Sequence, residues 1–259
     1  MTQPVAETVT VGPDARTIAT LSRPGKSPGL IWLGGFASDM TGTKAEALDA
    51  FAARRGLAMT RFDYSGHGAS GGTFAEGTIS RWLEEARCVF DRTTGPQIVV
   101  GSSMGGWLAL LLAQAHRDAV GAEASRLAGL VLIAPATDMT RTLMWEGMSE
   151  AERAALMETG AHQASSDYDD EGYLITRALI EDGDKHLFGD RLIETGCPVH
   201  IVQGVQDTDV PWQHATDLVS RLASDDVVLT LIKDGDHRLS RPEDIERIEA
   251  AIADIIAES

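Results

Sequence analysis

"GSSMGGW", Gly101 to Trp107, sits directly behind the apolar run Ile98 to Val100 and directly before the apolar run Leu108 to Leu112. Gly101, Ser103 and Gly105 satisfy the pattern G-x-S-x-G, which puts Ser103, and not Ser102, at its centre. The pattern alone is weak, because glycine and serine are common residues. Its setting is more specific. A Val/Ile strand followed at once by a Leu/Ala helix is the strand-turn-helix context of a nucleophile elbow, against the plain alternative of a flexible turn. So sharp a turn crowds its own backbone and leaves no room for a Cβ at the flanking positions. The serine oxygen then projects beside a helix N-terminus, where free N–H groups and the helix dipole favour developing negative charge.

Outward from this stretch the same rhythm repeats. Short runs rich in Val, Ile and Leu span Gly29 to Phe36, Gly56 to Tyr64, Pro96 to Ser102, Gly129 to Ala136, Pro198 to Gly204 and Asp226 to Lys233. Continuous apolar runs of this length predict parallel strands buried on both faces. Between them lie stretches of helical periodicity at Lys44 to Arg54, Ile79 to Arg92, Met104 to His116, Trp212 to Leu222 and Pro242 to Ala257. The last opens on Ser240-Arg241-Pro242-Glu243, with proline in the first turn and acids near the positive end of the dipole. Before the first run, Glu7 to Val11 and Thr17 to Leu21 alternate around Gly12-Pro13-Asp14, which predicts an antiparallel hairpin at the sheet edge. The expectation is an α/β fold: one domain, 1–259, built on a mostly parallel, doubly wound sheet of eight strands.

One interval, 137–196, breaks the rhythm and is far longer than the usual two to six residues of a strand-to-helix connection. It predicts an inserted helical lid, with helices around Glu150 to Met157 and Glu171 to Ile180. Met144, Trp145, Met148, Met157 and Tyr173 are interleaved with acids there. Each alone suggests packing onto the sheet, and as a set they suit an acyl pocket. Asp167, Asp169 and Asp170 are expected to be simply solvated.

A serine hydroxyl needs a base within hydrogen-bonding reach, and an elbow of this kind takes its partners in the chain order acid, then histidine. After the strand Val199 to Val202 comes "QGVQDTDVPW", and after Val227 to Ile232 comes "KDGDHRLS". These loops place Asp207 and His237 at the carboxyl ends of neighbouring strands, the edge where open α/β sheets gather ligands. Of the seven histidines, His237 is the one between the final strand and the final helix. His67, in "DYSGHGAS", reads as a turn residue and His200 as a core histidine. For the acid Asp207 is preferred, with Asp209 and then Asp138 as competitors; Asp236 is too near His237 in sequence to orient its ring. Oxyanion donors are expected from the backbone N–H of Met104, next after the serine, and from the N–H of Phe36 in "LGGFASD".

Through "GGFASDMTGTKA", "RFDYSGHGAS", "PQIVVGSSMGGW", "DVPW" and "DHRLSRPEDI" the sequence resembles the α/β-hydrolase superfamily, and within it the mitochondrial thioesterase and acyl-glucuronide esterase branch. The resemblance implies the α/β-hydrolase fold and, residue by residue, Ser103 as nucleophile, Asp207 as acid, His237 as base, and Phe36 and Met104 as oxyanion donors.

Composition bounds the partners. A net charge of −17 repels phosphate backbones and anionic headgroups, so nucleic acid is not expected as a partner. No stretch is apolar for long enough to span a bilayer, and Met1 to Thr10 lacks the pattern of a secretory or transit peptide, so stable membrane insertion is not expected and a cytoplasmic protein is. The two cysteines, Cys88 and Cys197, stand outside any metal-ligand spacing and are expected as small core residues; neither metal nor other cofactor is expected. The expected chemistry is hydrolysis of a small-molecule ester or acylated thiol through an acyl-serine. The same residues also serve lactonases, peptidases and carbon–carbon hydrolases, and a silent binding scaffold is the reading from another class. Such a scaffold would be favoured by a missing member of the set, and none is missing.

Overall fold

The structure is a computed structural model and describes residues 3–164, 172–223 and 226–258. The expected N-terminal hairpin is formed by β1 (Val5–Val11) and β2 (Arg16–Arg23), paired antiparallel from Val5↔Ser22 to Val11↔Arg16. Along the chain follow β3 (Lys26–Leu33), α1 (Thr43–Arg55), β4 (Leu57–Phe62), α2 (Ile79–Arg92), β5 (Gln97–Ser102), α3 (Met104–Val120) and β6 (Leu127–Ile133). After an insertion the alternation resumes with β9 (Val199–Gly204), α6 (Trp212–Arg221), β10 (Val227–Ile232) and α7 (Pro242–Glu258). Among the described residues these strands form one eight-stranded sheet in the order β1-β2-β4-β3-β5-β6-β9-β10. Only β1–β2 and β2–β4 are antiparallel; the other five pairs are parallel.

Helices cover both faces, and the period of two along each strand decides what each face buries. Val99 on β5 points into a core shared with Trp82, Phe90 and Trp107 of α2 and α3, joined by Ala215 and Leu218 of α6. Its neighbours Ile98 and Val100 point the other way, onto Leu48 and Phe51 of α1 and Ile248 and Ile252 of α7. Cys197 is buried and Cys88 is partly buried against the first of these cores. No helix among the described residues is long and apolar enough to cross a membrane.

The insertion between β6 and β9 departs from the purely helical expectation. It contains a π-helical stretch at Thr140–Trp145, α4 (Glu150–Thr159), a small antiparallel hairpin of β7 (Ala161–Ala164) and β8 (Tyr173–Thr176), and α5 (Arg177–Gly183). Helix α4 starts on a capping box, in which the Ser149 hydroxyl accepts from the Glu152 amide and the Glu152 carboxylate accepts from the Ser149 amide. Where a helix is expected around Glu171 to Ile180, the described residues from Tyr173 onward form a strand followed by a helix, and Glu171 itself lies outside the described residues. Tyr173-Leu174-Ile175-Thr176 has aromatic and β-branched residues that suit pairing with β7, and the Thr176 side chain then caps α5 by accepting from Leu179 N–H. Asp167, Asp169 and Asp170 lie outside the described residues.

Candidate active site

Ser103 stands between the end of β5 and the start of α3 with φ 54° and ψ −117°, a conformation costly for any residue with a Cβ. Both flanking glycines are required by the close approach. A Cβ on Gly101 would lie 2.3 Å from the Gly105 carbonyl oxygen, and one on Gly105 would lie 2.0 Å from that of Leu33. Backbone hydrogen bonds clamp the turn from β6: Ser103 N–H donates to Ile133 O at 2.8 Å, and Ala136 N–H donates to Ser103 O at 3.1 Å. The expected elbow geometry is therefore present.

The loops after β9 and β10 bring Asp207 and His237 to this serine. His237 Nδ1 donates to Asp207 Oδ2 at 2.8 Å, and His237 Nε2 stands 3.1 Å from Ser103 Oγ. A carboxylate accepts only, so it fixes the proton on Nδ1 and leaves Nε2 as the acceptor facing the hydroxyl. The Asp207 side chain is itself buried and fully engaged. Its Oδ1 accepts from Asp209 and Val210 amides at 3.0 and 2.8 Å, and its Oδ2 also accepts from Gln203 Nε2 at 3.0 Å. Gln203 escaped sequence reasoning; its one visible signal is an amide side chain at the end of an otherwise apolar strand.

The competitors for the acid have other places. Asp209 contributes its backbone amide to Asp207 and lines the adjoining cavity. Asp138 accepts from the Phe188 and Gly189 amides at 2.8 and 2.9 Å, so it ties the far end of the insertion back to its start. Asp236 accepts from Leu239 N–H in the turn that carries His237. His200 is buried in β9, and His67, in its turn, is buried as well.

The loop 34–38 passes close over the elbow: a Cβ on Gly35 would be 3.4 Å from both Ser103 Cβ and Ser102 O. Phe36 N–H and Met104 N–H, the two amides singled out in the sequence, have no acceptor among the hydrogen bonds of the described residues. The next amide, Ala37 N–H, donates to His67 Nε2 at 3.2 Å. Lys44, at the start of α1, donates to the carbonyl of Arg238, the residue after His237. Burial pulls its ammonium down to about 8, against the opposing pull of Asp236.

A cavity of about 860 Å³ opens onto Ser103 and His237, in the upper part of the roughly 300–1,000 Å³ usual for ligand pockets. The insertion supplies an apolar wall of Met139, Leu143, Met144, Met148, Tyr173 and Ile175. The loops supply polar groups: Asp39, Lys44, Thr208, Asp209, Arg238 and Ser240. Met157, by contrast, is exposed, and Trp145 lies under the guanidinium groups of Arg141 and Arg153 at 5.3 and 5.4 Å. Among the described residues no group of His, Cys, Asp and Glu side chains is arranged to hold a metal ion.

The model of the serine aminopeptidase S33 family matches residues 31–167. The mitochondrial palmitoyl-protein thioesterase ABHD10 of Mus musculus is 38% identical over 234 residues, covering 90% of this chain and 76% of that protein. A crystal structure of a putative hydrolase from Agrobacterium vitis S4 superposes with a TM-score of 0.93 at 51% identity, over 98% of this chain and 100% of that one. The structure of α/β hydrolase domain-containing protein 10 from mouse superposes with a TM-score of 0.88 at 33% identity, over 98% and 99% of the two chains.

Proposed function

The chain belongs to the α/β-hydrolase family, and from that premise we propose that it is a serine hydrolase of carboxylic esters and thioesters in which Ser103, His237 and Asp207 form the catalytic triad. The observation that carries the reading is the unbroken hydrogen-bond series from Asp207 through His237 to Ser103, facing a cavity. His237 Nε2 takes the Ser103 proton as Oγ attacks the substrate carbonyl carbon, and Asp207 stabilises the imidazolium that forms. The carbonyl oxygen, now an oxyanion, is held by the free amides of Phe36 and Met104 in a site already organised before the reaction. Collapse breaks the bond to the alcohol or thiol, which leaves with the proton from His237. Water then adds to the acyl-serine with His237 again as base, and the carboxylic acid departs.

The insertion acts as a lid whose apolar wall receives the acyl chain, and the polar loops receive the leaving group. Relatives named as palmitoyl-protein thioesterases support a long acyl chain on a thiol as one substrate class. The test is intact-mass labelling with a fluorophosphonate, then turnover of p-nitrophenyl esters from acetate to palmitate and of a palmitoyl thioester. One adduct on the wild type and none on Ser103→Ala, with an optimum at some chain length, is the expected result. Labelling of Ser103→Ala at the wild-type rate would remove Ser103 from its role.

A further inference from the structure

We propose that His67 is a positioning residue of this site: together with Ser38 it fixes the two peptide groups flanking Phe36, so that the Phe36 N–H is presented to the oxyanion. The inference rests on the reading of Phe36 as an oxyanion donor and adds what holds that donor in place. A lone backbone amide on a glycine-rich loop is otherwise free to turn away, because glycine leaves its neighbouring peptide bonds few steric restraints.

The peptide between Gly35 and Phe36 is held from its carbonyl side. Gly35 O accepts from Ser38 N–H at 3.3 Å and from the Ser38 hydroxyl at 2.8 Å. In a trans peptide the N–H points opposite to the C=O, so the same two bonds aim Phe36 N–H away from Ser38. The peptide between Phe36 and Ala37 is held from its amide side, where Ala37 N–H donates to His67 Nε2. Ala37 itself has φ 55°, a conformation that a residue with a Cβ keeps only where its surroundings impose it. Reversal of either peptide would break one of these contacts.

His67 is built to accept and not to donate at Nε2. Its Nδ1 lies 3.2 Å from Ser65 O, an acceptor only, so the proton resides on Nδ1 and the Nε2 lone pair faces Ala37. Burial lowers the pKa of the ring and so favours this neutral form. The ring is held in place by Phe74 and Trp82, which stand edge-on to it at 5.1 and 5.2 Å. Its platform is equally fixed: Ser65 N–H donates to Glu85 at 2.9 Å, and Asp63 bridges the amides of Met40 and Ala69 at 2.7 and 2.8 Å. The Phe36 ring packs into the same aromatic group, 4.9 Å from Phe74.

The experiment compares His67→Phe, which keeps an aromatic ring and removes the acceptor, with His67→Gln, whose amide oxygen restores one, and with Ser38→Ala. Each is assayed for kcat and KM on one p-nitrophenyl ester, for inhibition by a trifluoromethyl ketone that forms an oxyanion on Ser103, and for thermal stability. His67→Phe is expected to lower kcat and weaken the ketone in parallel by about 10- to 100-fold with KM little changed, less than the ~10²–10³ of a lost donor. His67→Gln should recover part of both losses, and Ser38→Ala should lose in the same direction. Wild-type kcat and ketone affinity in His67→Phe would overturn the proposal, as would a lower melting temperature with kcat unchanged. If His67→Phe fails to fold, Ser38→Ala decides alone by the same criterion, since its side chain is exposed. Ser103→Ala run alongside separates the two failures: an inactive Ser103→Ala beside a fully active His67→Phe leaves the hydrolase reading intact and removes only this one.

Discussion

The backbone of Ser103 carries strain that the crowded turn around it maintains. Its positive φ suits glycine far better than serine, so Ser103→Gly should be more stable than Ser103→Ala by on the order of 1 kcal/mol, read by thermal denaturation. Both should lose turnover by a factor of about 10⁶, as in other triads. Asp207→Asn should cost on the order of 10⁴ in kcat through the wrong imidazole tautomer. Asp209→Asn keeps the amide that serves Asp207 and should cost far less; equal losses would reassign the acid. At this scale the sequence was informative where chemistry and chain order coincide: serine, aspartate and histidine each followed an apolar run. Gln203, Ser38 and His67 gave no such signal. Their partners are a carboxylate four residues on, a carbonyl three residues back, and an amide 30 residues away, and only folding brings the last of these within reach.

Elements show a similar division. The strands of the sheet and the five helices that flank it were legible because burial on two faces imposes long apolar runs and clean periodicity. The hairpin β7–β8 was not. Four-residue strands are too short to display a period, and residues 173–183 change from extended to helical at Thr176 within what looks like one amphipathic stretch. The same insertion explains Asp138, whose carboxylate satisfies the amides of Phe188 and Gly189. Asp138→Ala should destabilise by about 1–3 kcal/mol for the buried Phe188 amide left without an acceptor, seen as a lower melting temperature. Turnover of a short-chain ester, which needs little of the insertion's apolar wall, should fall much less than turnover of a long-chain one. Gly105→Ala tests the elbow as an element: with a Cβ 2.0 Å from the Leu33 carbonyl oxygen, the turn must shift, and fluorophosphonate labelling should be lost even though Ser103 is still present.

Across the whole molecule, buried and half-buried imidazoles set a pH dependence of stability. His67, His116, His186 and His214 are all lowered from the ordinary 6.5, with burial as the largest cause in each. The unfolded chain therefore takes up protons near pH 6.5 that the native protein refuses, and the stability present above that value is lost as pH falls toward the native values. Asp63 and Glu85, raised by burial, act in the opposite sense: the native protein takes up their protons above the ordinary 3.8 and 4.5, so their contribution to stability grows as pH falls toward those values. The melting temperature should accordingly decline between pH 7 and 6, and His214→Gln should flatten that decline; an unchanged slope would assign it to other groups.

Strands β6 and β9 are hydrogen-bonded neighbours, from Leu130↔Val199 to Ile133↔Val202, although the whole insertion separates them along the chain. The chain thus leaves the sheet and returns to it through one adjacent pair of positions. The free energy of closing such an excursion grows only with the logarithm of its length, about 0.6 kcal/mol per doubling. A longer or shorter excursion, with an apolar or a polar lining, thus asks no new register of β6 and β9, and the apolar wall it gives the cavity can be altered separately from the sheet that holds Ser103.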